Sequence, residues 1–90
     1  VAWVAEDTAL YRLKTGTFGS AEQLAAGMQR VRQHFPWQLY EWAEGEYRSG
    51  GIWSPRYRIF TGTFRGRAAA EKAAQDLRDL TGWLVYIVDA

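Results

Sequence analysis

Few residues in this chain have the chemistry that catalysis needs. The chain has no cysteine and one histidine, His34, whereas a nucleophilic side chain needs a neighbouring base that activates it. A metal site would have to use carboxylates, and Glu41, Glu44 and Glu46 form the densest acidic group. Turn-forming residues surround this group, at Gly45, Gly50, Gly51 and Pro55. The pattern favours solvated glutamates in a hairpin connection, and we expect no enzyme activity, no metal and no cofactor.

Basic and aromatic side chains form a second set, which is suited to binding. The 90 residues include nine Arg, two Lys, five Trp, five Tyr and four Phe, yet the net charge is only +1. Arg pairs with carboxylates and phosphates through two hydrogen bonds and also stacks on rings. A general polyanion binder would carry a larger positive charge. The local arrangement of cations and rings therefore matters more than their total.

An internal repeat organises these residues. The segment YRLKTGTF at 11–18 returns as YRIFTGTF at 57–64, an offset of 46 residues. The same offset makes four further identical pairs: Gln29 with Gln75, Arg32 with Arg78, Trp37 with Trp83 and Tyr40 with Tyr86. Two copies are too few for a solenoid. We predict one domain at 9–90 with pseudo-two-fold halves at about 11–42 and 57–88, a lead-in or linker at 1–8, and a larger parent protein.

Each half has the pattern of a strand, a helix and a second strand. Apolar and polar residues alternate over 10–18, Ser20 and Gln23 have the form of a capping box, and an apolar stripe at helical spacing runs to Pro36. A strand at 37–43 and a long hairpin connection at 44–55 follow, in which Ile52 and Trp53 are a candidate extension of the next strand, at 56–64. A helix that Gly82 ends and a strand at 83–88 complete the chain.

The order βαββαβ predicts an α+β fold of the ferredoxin-like, or split βαβ, type. This fold has a four-stranded antiparallel sheet with two helices on one face. Because strand side chains alternate, odd positions such as Leu13, Ile59 and Val85 suit the helix side, and Trp37 and Trp83 are expected in the core. Even positions give the other face a basic and aromatic character, although exposed strands also carry solvated charges that resist aggregation. The expected central contacts are Arg12, Lys14, Thr17, Arg58 and Phe60, and the flanking ones are Tyr40, Trp42, Trp53 and Tyr86.

The two repeated strands resemble those of the SPOR (sporulation-related repeat) domains, which bind bacterial peptidoglycan. Both 11–18 and 57–64 follow the family pattern of an aromatic residue, alternating positions and a Gly-x-Phe ending, each before a helix. The resemblance covers about 9–88. It implies binding of glycan strands that lack stem peptides, a location in the bacterial cell envelope, and targeting of a larger cell-wall protein to the septum or to wall under remodelling. Lys14 stands at the family's Gln position and Thr17 at its Ser position.

The resemblance also implies a ligand with a free carboxylate. Removal of the stem peptide leaves the lactyl carboxylate of muramic acid, with which Arg12, Lys14 and Arg58 could form charge-assisted hydrogen bonds. Aromatic rings on the same face could stack on sugar faces.

Two other kinds of binding use the same face. RNA-recognition motifs share the predicted topology and bind single strands with rings and cations, but their Gly-aromatic signature on the third strand is not reproduced here. Protein–protein interaction is the other, with Trp42 and Trp53 as buried anchors. No apolar run is long enough to span a membrane, so we expect no membrane contact by this segment.

Overall fold

The computed structural model describes residues 8–90, apart from the side chains of Glu46 and Arg48. The helices and strands are β1 (Leu10–Thr15), α1 (Ala21–His34), β2 (Leu39–Arg48), β3 (Ile52–Thr61), β4 (Phe64–Arg65), α2 (Arg67–Thr81) and β5 (Val85–Asp89). The predicted lead-in at 1–8 lies outside the described residues except for Thr8. Between residues 8 and 90, neither helix is long and apolar enough to cross a membrane.

The strands form one antiparallel sheet with β1 at its centre. β5 pairs along one edge of β1, β3 and β4 pair along the other, and β2 pairs with the far edge of β3. The predicted α+β class, with two helices and an antiparallel sheet, is confirmed. The prediction of four strands is wrong, because the strand expected at 56–64 is divided into β3 and β4 at Gly62 and Thr63.

Two buried threonines lie where β1 and β3 meet. Thr15 and Thr61 are each 1% exposed. The Oγ1 atom of Thr15 accepts a hydrogen bond from the N–H of Ile59, and that of Thr61 accepts one from the N–H of Leu13, both at 3.0 Å. Each hydroxyl then donates to the carbonyl of the following glycine at 2.9 Å. Side-chain oxygens thus replace backbone carbonyls between β1 and β3, which explains the short backbone ladder between them.

The internal repeat is also visible in the strand pairing beside the two buried threonines. Phe18 and Tyr57 exchange two backbone hydrogen bonds, at 2.7 and 3.1 Å. Their equivalents 46 residues away are Phe64 and Tyr11, which are paired in β4 and β1. The pairing of β4 with β1 in the second half is therefore equivalent to the bridge between Phe18 and Tyr57 in the first half.

Both helices begin or end at the residues that the sequence predicts. The Oγ atom of Ser20 accepts a hydrogen bond from the N–H of Gln23 at 3.1 Å and caps α1. Gly82 follows α2 with a φ of 73°, a left-handed conformation that glycine adopts without steric cost. The N-terminal capping of α1 and the C-terminal stop of α2 are confirmed.

The core lies between the helices and the odd-numbered side of the sheet. Leu24 and Met28 of α1 pack with Ile59, while Val31 and Leu77, one from each helix, pack with Leu13. The two tryptophans expected in the core are partly buried against it. The ring pairs are Trp83 edge-on to Phe18 at 5.1 Å, Trp37 stacked on Phe35 at 4.0 Å, and Trp37 edge-on to Phe64 at 5.3 Å. The predicted odd-numbered core face is confirmed.

The prediction of a long connection at 44–55 is wrong, whereas the candidate strand extension at Ile52 and Trp53 is confirmed, because β3 begins at Ile52. β2 and β3 pair without interruption from Leu39 with Thr61 to Arg48 with Ile52, and the tight turn uses Gly50 and Gly51 at φ 89° and 75°. Gly45 stays in the strand because the ring of Trp53 lies over it. A Cβ atom at position 45 would lie 2.6 Å from Cζ2 of Trp53 and 2.8 Å from the carbonyl oxygen of Ser54.

This contact makes Gly45→Ala a test of the hairpin. The added methyl group displaces the Trp53 ring or the strand, so we expect a loss of about 1–3 kcal/mol in the free energy of unfolding and a change in tryptophan fluorescence. Denaturant unfolding followed by fluorescence measures both. Gly19→Ala is the control, since its Cβ would meet nothing closer than 3.6 Å. Equal effects of the two changes would contradict the proposed packing.

Candidate ligand-binding face

The side of the sheet opposite the helices carries a row of four side chains, one from each of four strands. Tyr40 of β2 is opposite Phe60 of β3, Phe60 is opposite Lys14 of β1, and Lys14 is opposite Tyr86 of β5. We call this side the open face and these four residues the central row. Tyr40 and Tyr86 are exposed, and Lys14 and Phe60 are half-buried. The row places one cation among three rings.

Two basic residues of β1 lie over tyrosine rings of the open face. The guanidinium carbon of Arg12 is 5.6 Å from the ring centre of Tyr40, and Nζ of Lys14 is 5.7 Å from that of Tyr86. Gly62, which follows the end of β3, presents no side chain that would separate Arg12 from Tyr40. Contacts of this kind contribute about 0.5–1 kcal/mol at exposed sites, and they hold both cations at the surface of the sheet.

Arg58, the third predicted cation, is bound within the protein. Its Nε atom donates to Oε1 of Glu44 at 2.5 Å, and its Nη1 atom donates to the carbonyl oxygen of Thr15 at 3.0 Å. Its side chain is only 23% exposed. Arg58 thus ties the ribbon of β2 and β3 to the end of β1, and Glu44 neutralises its charge.

These bonds change what is expected of Arg58→Ala. The sequence predicts that Arg58, like Lys14, is a surface residue and that folding stays intact when both side chains are removed. The structure predicts instead a loss of about 1–2 kcal/mol in the free energy of unfolding, because two charge-assisted hydrogen bonds are lost. Lys14→Ala is the matched change on the same face and should cost about 0.5 kcal/mol. Urea unfolding compares the two variants, and a smaller loss for Arg58→Ala than for Lys14→Ala would contradict this role.

Rings on β2 and β3 line a depression at one side of the open face. Trp42 is 54% exposed, and its ring meets that of Phe60 at 5.9 Å with 65° between the planes. The depression has a volume of about 510 Å³ and is lined by Arg12, Tyr40, Trp42, Phe60, Val88, Asp89 and Ala90. It combines a flat apolar wall with a guanidinium group, which suits a ligand with an apolar side and a polar or acidic group.

Two of the predicted contacts are not part of this surface. Thr17 is exposed beyond the end of β1, in a depression of about 230 Å³ lined by Gly16, Thr17, Phe18, Trp83 and Leu84. Trp53 has the odd parity of Tyr47, its partner in β2, and their rings are 5.0 Å apart. Because strand side chains alternate, this pair lies on the other side of the ribbon from Trp42. The structure brings together the remaining seven predicted residues.

Several residues of the open face were not predicted as contacts. Gln38 accepts a hydrogen bond from the Tyr40 hydroxyl at 2.9 Å, and Leu84 is 68% exposed beside Gly16. Both have even numbers, so alternation alone could have included them. Glu44 could not be found in this way, because its segment was predicted as a loop.

The acidic and histidine residues considered for catalysis do not gather at one place. His34 is in the last turn of α1, where its Nδ1 atom lies 3.0 Å from the carbonyl oxygen of Arg30. Glu41 and Glu44 are on β2, not in a loop, and Glu44 binds Arg58. Among the described residues, no group of three or more His, Asp or Glu side chains could hold a metal ion.

Comparison with known proteins gives no relative. No family model matches the chain, and no curated protein and no solved structure matches it either.

Proposed function

We propose that this chain is a non-catalytic peptidoglycan-binding domain of the SPOR type. It recognises glycan strands that lack stem peptides through the open face, and it directs a larger cell-wall protein to septal or remodelled wall in the cell envelope of a bacterium. The observation that carries the proposal is the central row, in which Lys14 lies among Tyr40, Phe60 and Tyr86 on the side of the sheet opposite the helices. Rings stack on the apolar faces of sugars, while the cation pairs with an acidic group.

The strand pairing supports the ferredoxin-like plan that the SPOR resemblance implies. β3 and β4 lie along the same edge of β1, so they can be treated as one strand interrupted at Gly62 and Thr63. The order across the sheet is then β2, β3 with β4, β1 and β5, and the first and third strands of the repeat are central neighbours. We propose that the interruption is a local feature of this plan, caused by the two threonine hydroxyls.

Cosedimentation with peptidoglycan sacculi tests the function. We expect the purified domain to bind sacculi, and to bind more after an amidase has removed the stem peptides. Between low and high salt, binding to sacculi should fall much less than binding to nucleic acid, which falls steeply with salt, because stacking of rings on sugars involves no charge. Absence of binding to both kinds of sacculi, with salt-sensitive binding to single-stranded RNA, would overturn the proposal in favour of a nucleic-acid function.

A further inference from the structure

We propose that the open face contains one acidic-sugar subsite, formed by Arg12 and Lys14, and that Glu44 blocks an equivalent subsite at Arg58. A saccharide with a free carboxylate would therefore bind this nearly symmetric face in one direction only. The inference rests on the proposed function for the class of ligand, a sugar acid. It adds the position of the carboxylate and a role for Glu44.

The internal repeat supplies the comparison between the two sides. Arg12 and Arg58 are 46 residues apart and equivalent, and so are Glu44 and Ala90. Glu44 binds Arg58 at 2.5 Å, whereas Ala90, at the equivalent position beside Arg12, has no side-chain charge. Arg12 lies over the ring of Tyr40 instead. The same arginine is thus neutralised in one half and left available in the other.

Lys14 strengthens this difference between the halves. Its equivalent 46 residues later is Phe60, so the centre of the face has a cation on β1 and a ring on β3. Among the side chains that the structure describes, neither Arg12 nor Lys14 has a carboxylate partner. Both are held near tyrosine rings, at 5.6 and 5.7 Å. A carboxylate bound between them would accept charge-assisted hydrogen bonds, the strongest kind available at such a surface.

The depression beside Arg12 has room for a sugar ring. Its volume is about 510 Å³, and Trp42 and Phe60 form its apolar wall. The residue equivalent to Trp42 in the second half is Val88, which offers no ring. Asp89 also lines the depression, but it makes no ion pair with Arg12. Its odd number places it with Val85 and Ile87 on the helix side of β5. A saccharide can therefore place its carboxylate at Arg12 and its ring against Trp42 and Phe60 in one orientation only.

Titration with two monosaccharides, followed by ¹H–¹⁵N NMR, tests the subsite. N-acetylmuramic acid carries the carboxylate, and N-acetylglucosamine is its neutral counterpart. We expect the acid to shift the signals of Arg12 and Lys14 and the neutral sugar to leave them in place. The double variant Arg12→Gln with Lys14→Gln should bind the acid about tenfold more weakly and the neutral sugar equally well. Arg32→Gln, which removes a charge from an exposed position of α1, should change neither affinity.

Glu44→Gln tests the blocking role. Loss of this carboxylate frees Arg58, so N-acetylmuramic acid should then shift the Arg58 Nε–H signal, which it leaves unchanged in the original protein. An acid that shifts neither Arg12 nor Lys14, or that shifts Arg58 as strongly as Arg12 in the original protein, would overturn the inference. Sacculus binding is a separate measurement. Its absence alongside a normal response of Arg12 to the acid would remove the proposed function and leave the acidic subsite in place.

Discussion

Trp42→Ala is expected to weaken binding to denuded glycan strands about thirtyfold, a loss of about 2 kcal/mol. The reason is that Trp42 supplies the largest exposed ring of the open face and forms a wall with Phe60. Cosedimentation at several domain concentrations gives the change in affinity, and circular dichroism checks that the variant is folded. Removal of the ring should leave the sheet intact because Trp42 is 54% exposed.

Tyr47→Ala is the matched control for this prediction. Tyr47 is also on β2 and is 75% exposed, but its odd number places it on the other side of the ribbon. Binding by this variant should stay within about twofold of the original, well below the change expected at a binding hot spot. Equal losses in the two variants would mean that the ligand contacts the hairpin as a whole. No loss in either would exclude Trp42 from the binding surface.

The second large effect is expected on stability, from the double variant Thr15→Val with Thr61→Val. Each change keeps the shape of the side chain but removes the hydroxyl that accepts a backbone N–H bond at 3.0 Å. A buried N–H group without a partner costs about 1–3 kcal/mol. The double variant should therefore lose about 2–6 kcal/mol, a large part of the total stability of about 5–13 kcal/mol expected for 90 residues.

Guanidinium unfolding of the single and double variants measures this loss. Thr17→Val with Thr63→Val is the control, since both threonines are exposed and lie outside the contact between β1 and β3. Each of these changes should lower the free energy of unfolding by less than about 0.5 kcal/mol. Thr15 and Thr61 join the same pair of strands, so the losses of stability from the two single changes need not be additive. A double variant as stable as the control would show that the hydroxyls do not replace backbone acceptors.

Periodicity in the sequence is sufficient to predict most of the fold. Alternation places Leu13 and Ile59 in the core, and the capping residues Ser20 and Gly82 mark the helix ends, because these features depend on neighbours within a few residues. The division between β3 and β4 depends on a longer-range contact. Nothing in the pattern Thr-Gly-Thr indicates that the first threonine of each copy turns its hydroxyl toward the backbone of the opposite strand.

The hairpin of β2 and β3 also depends on contacts that the local sequence does not reveal. Gly45 and Pro55 are residues that normally interrupt strands, and both are compatible with this strand pair for tertiary reasons. Trp53 covers Gly45. Pro55 lies opposite Gly45, in a part of β3 that extends past its pairing with β1. Such compensation by a distant residue cannot be inferred from local composition.

Alternation of side chains along the strands predicts the part of the candidate site that lies within regular strands. It places Arg12, Lys14 and Phe60 on one face, where the structure has them. Thr17 follows the end of β1, where alternation no longer fixes the direction of a side chain. The pairing of Arg58 with Glu44 could not be predicted, because the second strand was expected to end at residue 43 and Glu44 was assigned to the connection at 44–55. Because of this contact, two of the three expected cations on the face, Arg12 and Lys14, remain available to a ligand.

A crystal structure of the domain with a soluble glycan tetrasaccharide that lacks stem peptides would show where the glycan binds. We expect sugar rings on the open face, against Phe60 and Trp42, with a muramic acid carboxylate within hydrogen-bonding distance of Arg12 or Lys14. A glycan bound to the helices, or to the Tyr47 and Trp53 side of the ribbon, would contradict binding by the open face.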